Sequence, residues 1–184
     1  NLRGGDAETK VLDAPMMQVP ESWTADGRYL TFSTMRPGTK SDVWAWRLDN
    51  DAPPVPVLES PANEGQSQVS PDGRFIAYTS DESGANEVFV RPFPETPAAR
   101  WQVSTGGGEQ PRWSTDGREL SYINRVSSEL LAVPVLASPT FVVGERRKLF
   151  SVLPFVLDPY HRSYDVLPGN RGYLFLQSQA SGRS

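Results

Sequence analysis

At 184 residues the chain is long enough to bury a sizeable core, and 38% hydrophobic with 10% aromatic residues excludes a disordered composition. The 22 acidic against 18 basic residues leave a formal charge of −4, which excludes the basic footprint of a nucleic-acid or anionic-membrane partner. Cysteine is absent, so disulfides, thiol catalysis and thiolate metal sites fall away together, and no apolar run approaches the ~20 residues of a membrane-spanning helix.

In chain order, the opening Asn1-Leu2-Arg3-Gly4-Gly5 lacks both Met and a targeting pattern and reads as a piece cut from a longer protein. Within residues 1–14, a lone strand is predicted near 9–12. A repeat then begins. Trp23-Thr24-Ala25-Asp26-Gly27-Arg28 belongs to a first unit, 15–62, and Val69-Ser70-Pro71-Asp72-Gly73-Arg74 to a second, 63–106. Trp113-Ser114-Thr115-Asp116-Gly117-Arg118 marks a third, 107–151, and the decayed Val166-Leu167-Pro168-Gly169-Asn170-Arg171 a fourth, 152–184. The Arg-to-Arg steps are 46, 44 and 53 residues, and an aromatic always stands four positions after the Arg. That period is the length of a propeller blade, roughly 40–50 residues.

Each unit reads as four strands. A short inner strand ends in Trp or Val, and a tight Asp-Gly turn follows, with Gly27, Gly73 and Gly117 (Asn170 in the fourth unit) taking the positive φ. The second strand, residues 74–80 in the second unit, is apolar with little alternation, as in a strand covered on both faces. Third strands are predicted at 42–46, 87–90 and 130–133, and outer strands near 56–58, 101–103 and 148–150. The fold class is therefore all-β: a partial β-propeller of antiparallel four-stranded blades, about four in number, the first and last incomplete. Open blade ends of that kind invite pairing with another copy.

These residues resemble the WD40-like repeat of the TolB propeller family, whose mark is a Ser-Pro-Asp-Gly-Arg/Lys turn before an apolar strand; the resemblance covers residues 16–177. Residues 89–94 (Phe89-Val90-Arg91-Pro92-Phe93-Pro94) and 101–113 look like the C-terminal propellers of bacterial membrane-anchored Ser/Thr protein kinases. Thr24-Ala25 and Thr115 depart from the usual Ser-Pro, and the last repeat has lost its Asp-Gly pair. The resemblance implies a non-catalytic binding or sensing module outside the cytoplasm, with a protein, peptide or small ligand as partner. It equally allows the gating propeller of a prolyl-oligopeptidase-type hydrolase, or a TolB-like envelope partner.

No catalytic, cofactor or metal residue is predicted. A Gly-x-Ser-x-Gly elbow is absent, the single histidine is His161, and neither a Gly-rich kinase loop nor His-Arg-Asp occurs. Asp26, Asp72 and Asp116 repeat once per blade, as turn residues do, and Arg28, Arg74, Arg118 and Arg171 are expected to pair with turns or to cover neighbouring blades with their stems. Neither the acidic residues at 49–51 nor those at 81–87 match a calcium loop, and Gly106-Gly107-Gly108 reads as a crossing between blades rather than a phosphate cradle. The five tryptophans are expected mostly between blades. Phe93, between two prolines, is the aromatic expected at the surface, and with Arg91 it is the predicted partner contact.

Overall fold

Short runs of β-branched and aromatic residues, punctuated by Asp-Gly and Ser-Gly turns, dictate strands rather than helices. The structure, a computed structural model, describes residues 17–35, 40–50, 52–95, 99–137, 140–159 and 161–177. The strand expected at 9–12 lies outside them. Blade one is β1 (Met17–Trp23), β2 (Tyr29–Met35), β3 (Ser41–Arg47) and β4 (Val55–Leu58), paired antiparallel in chain order. Blade two repeats the meander with β5 (Glu64–Val69), β6 (Phe75–Ser80), β7 (Glu87–Pro92) and β8 (Trp101–Gln102). Blade three has β9 (Glu109–Trp113), β10 (Glu119–Asn124), β11 (Glu129–Ala137), β12 (Phe141–Val143) and β13 (Arg147–Ser151). A half-blade follows, β14 (Tyr164–Val166) and β15 (Tyr173–Phe175), joined by a 3-10 turn at Pro168–Asn170.

Blade three departs from the expected four strands. β11 is long enough to take two partners on one edge: β13 along its first half and β12 along its second. The short β12 hairpin delivers Phe141 to the neighbouring blade.

The period-2 geometry of strands explains the unbroken apolar runs, since successive side chains serve opposite neighbours. Ile76, Tyr78 and Phe89 pack toward Val43, Ala45, Val57 and Leu58 of blade one. Ala77, Val88 and Val90 pack toward Leu120, Tyr122, Leu131 and Val133 of blade three. A third core joins Ile123, Leu130 and Val152 to Tyr164 and the rings of Tyr173 and Phe175. Each interface between successive blades thus has its own core.

The repeated turns are superimposable in their bonding. Gly27, Gly73 and Gly117 stand at φ of 70–74° and donate back to the Thr24, Ser70 and Ser114 carbonyls. Asn170 takes φ 57°, as expected from its place in the repeat. Oδ1 of Asp26, Asp72 and Asp116 accepts the hydroxyl of Thr24, Ser70 or Ser114 at 2.6 Å and the backbone N–H of Arg28, Arg74 or Arg118. The Thr24 and Ser114 hydroxyls hold the Asp26 and Asp116 carboxyls below their ordinary 3.8; at Asp72 partial burial pushes upward and the Ser70 and Arg74 bonds outweigh it.

A lowered carboxyl stabilises the fold above its unfolded value, and that contribution disappears as pH falls through the folded value. Urea denaturation in a pH series should therefore show stability falling below pH 3.8. The triple variant Asp26→Asn, Asp72→Asn, Asp116→Asn should make that fall shallower, leaving the part carried by Asp49, Asp81 and Glu129, which are lowered as well. Burial raises Glu64 and Glu109 instead, so their effect runs in the opposite sense, stability decreasing as pH rises above 4.5. The two windows do not overlap.

Candidate functional site

The first strand of each sheet pairs on one edge only, so its other edge presents N–H groups without a ladder partner. These inner strands stand side by side, β1 against β5, β5 against β9 and β9 against β14. Their register breaks at one place in each of the three blades: between Pro20 and Ser22, between Gly65 and Gln68, and opposite Ser121 and Ile123. Such bulges free further backbone donors and re-aim side chains. At two of them a non-glycine residue takes a left-handed backbone, Gln66 and Gln110, both with φ 54°. That conformation costs about 1–3 kcal/mol and persists only where the surroundings over-determine it.

The surroundings do so blade by blade. The Glu21 carboxylate accepts the N–H of Gln66 (2.6 Å) and of Ser67 (2.7 Å), and the Ser67 hydroxyl. Gln66 Oε1 accepts the Gln110 N–H at 3.1 Å and the Thr79 hydroxyl at 2.9 Å. Gln110 Oε1 in turn accepts the Ser163 N–H at 2.8 Å. Each inner strand lends an acceptor to the next. The amide nitrogens reach the chain ahead of β14, Gln66 to the Pro159 carbonyl (3.0 Å) and Gln110 to that of Asp158 (2.7 Å). Arg162 reaches across to the Glu21 carbonyl at 2.8 Å.

Between these strands lies a cavity of about 640 Å³, walled by residues 19–23 of β1, residues 66–68 of β5, Arg112 of β9, and His161 with Arg162. Arg112 is 2% exposed. Its Nη1 donates to the Pro111 carbonyl at 2.6 Å and its Nε–H has no acceptor. Burial, and then the nearby Arg162 guanidinium, pull its pKa down to about 10. Arg162 is paired with Asp165 (3.2 Å), and His161 with Asp158 (3.1 Å).

The sequence-predicted residues lie elsewhere. The turn aspartates bond within their own turns, Arg74 pairs with Asp72, and Arg28 crosses to Asp49. Arg91 donates to the Tyr78 hydroxyl at 3.0 Å. Phe93 corrects its expectation. It is buried, edge-on to Tyr29 of blade one at 5.3 Å, because the chain after β7 turns inward under the neighbouring blade. Trp23 is an exception to the placement expected for most of the tryptophans, standing 62% exposed where its repeat equivalent Trp113 is buried against blade two.

Asp49 is held by Arg28 and Arg47, Asp81 by Lys40 and Asn63, and Glu82 by Arg100. Asp51 lies outside the described residues. No group of three potential metal ligands occurs among the described residues. The signal for the cavity was the polar run ahead of each turn, Glu21-Ser22, Gln66-Ser67-Gln68 and Gln110-Pro111-Arg112, in strands placed innermost.

No family model matches the chain. It is 35% identical over 91 residues to Tricorn protease homolog 1 of Streptomyces coelicolor, a match covering 45% of this chain and 8% of that protein. Among solved structures it is similar to a TolB-type protein of Agrobacterium tumefaciens, with a TM-score of 0.58 and 16% identity over 75% of this chain and 50% of the other. TolB of Acinetobacter baumannii gives 0.57 and 16%, covering 74% and 33%. An auxiliary nutrient binding protein of Bacteroides thetaiotaomicron gives 0.51 and 9%, covering 68% and 30%. The chain therefore spans half or less of these relatives. At such identities the likeness is one of fold, and the fold is a partial β-propeller of TolB-like form.

Proposed function

We propose that this chain is a non-catalytic binding module of a larger bacterial protein, taking a protein segment, peptide or small ligand into the cavity between its inner strands. The observation that carries the reading is the way the cavity wall is held. Side chains that would otherwise be mobile at a sheet edge are fixed by bonds passing from Glu21 to Gln66 to Gln110 to Ser163, which pre-organises a polar surface. The TolB-like form supports placement outside the cytoplasm, as part of a signalling protein or an envelope complex. Among the described residues no helix is long and apolar enough to cross a membrane. The match to a tricorn protease homolog favours a second reading, in which the module admits peptides to a peptidase.

The test uses the 184-residue chain and a solution mixture of random decapeptides, with retained peptides read by mass spectrometry. Retention is expected, without cleavage. His161→Trp should abolish it, because His161 is exposed on the cavity wall and the larger ring fills the opening. Retention indifferent to His161→Trp would place binding elsewhere, and cleaved peptides would refute a non-catalytic role.

A further inference from the structure

We propose that Arg112 makes the cavity a receptor for a single carboxylate, a proposal that rests on the binding reading above. A buried guanidinium with an idle donor is expensive in free energy unless an anion completes it. Among the described residues Arg112 has no ion-pair partner, and its one hydrogen bond is to its neighbour's carbonyl. Of the other groups on the wall, Arg162 is paired with Asp165 and His161 with Asp158, while the Glu21 carboxylate is held by the neutral donors of β5 and keeps its negative charge. Among the described residues Arg112 is therefore the cation of the cavity lining without an ion-pair partner.

The match in charge selects the ligand class. A monoanionic carboxylate neutralises one guanidinium and takes its paired donors in a bidentate manner. A phosphate dianion would bring excess negative charge beside Glu21. Gln68 shares the wall, and with its Oε1 taken by the Trp113 N–H at 2.7 Å, its amide donor is left for a second ligand oxygen. The same group can arrive on a small organic acid or on the end of a peptide.

The probes are N-acetylglycine, N-acetyl-triglycine, their C-terminal amides, and inorganic phosphate, titrated into the full chain while the Arg112 Nε–H signal is followed by NMR. The two carboxylates are expected to shift that signal and to bind about tenfold or more tighter than their amides, the size of one charged hydrogen bond. Tighter binding of N-acetyl-triglycine identifies a peptide end, and equal binding identifies a small acid. Arg112→Lys should weaken the carboxylates about tenfold, and Arg112→Gln should erase their advantage over the amides. If a variant fails to fold, the Nε–H shift in the unaltered chain still decides. Phosphate binding more tightly than the carboxylates overturns the assignment. So does equal binding of acids and amides: with decapeptides still retained, the binding module then stands and only the role of Arg112 falls. Failure of the decapeptides and of all the probes removes both.

Discussion

Phe141→Ala is expected to lower the stability of the chain by about 4 kcal/mol, within the range for emptying a buried aromatic site. The ring is 5% exposed and sits among Phe75 (5.1 Å), Trp101 (5.0 Å) and Trp113 (6.3 Å), which come from blades two and three. Its own strand, β12, pairs with β11 over three residues only, so the backbone contributes little to holding it. Phe141→Leu keeps most of the apolar volume and should cost less than about 1.5 kcal/mol. Urea midpoints for both variants, with a double-mutant cycle to Trp101→Ala, would measure this. A coupling near zero would mean that Phe141 merely fills space, whereas about 1 kcal/mol is the size expected for paired rings.

The same residue marks where sequence reasoning stopped. Turns and middle strands were legible because their causes are local: Asp72 bonds its own turn, Gly73 supplies the φ, and the run from Phe75 to Tyr78 is apolar on both faces. The β12 hairpin was not, since nothing in Phe141-Val142-Val143 says which blade it will meet. Phe93 failed for a related reason. Flanking prolines correctly mark a break in the ladder, but a break does not fix exposure, and Tyr29, 64 residues earlier, covers the ring. Trp23 and Trp113 share a repeat position and differ in burial, because Trp113 has Gln68 of the preceding blade to accept its indole N–H at 3.1 Å. Among the described residues Trp23 has no such neighbour. The cavity residues were visible as polar letters in innermost strands, yet their roles depend on bonds between repeats, which a period alone does not specify.

Those bonds carry the second large effect. Gln110→Ala should destabilise the chain by about 3 kcal/mol, as expected when a buried N–H loses its acceptor and a filled site is emptied. The side chain is fully buried and its two ends hold the Ser163 N–H and the Asp158 carbonyl, while its own carbonyl accepts the Tyr164 hydroxyl at 3.0 Å. Arg125 also donates to the Asp158 carbonyl, so that group keeps a partner, and the loss concentrates on Ser163. The damage should therefore be local before it is global. Hydrogen exchange is expected to rise in β14 and β15 well before β5 to β8, because the half-blade meets β9 through this residue. Gln110→Gly relieves the left-handed backbone but removes the same bonds, so it should recover about 1 kcal/mol of the loss and no more. A uniform rise in exchange across all blades would show that the inner-strand bonds act as general packing. Confinement to the half-blade would show that each acceptor fastens one blade to the next, the property that a rigid cavity wall requires.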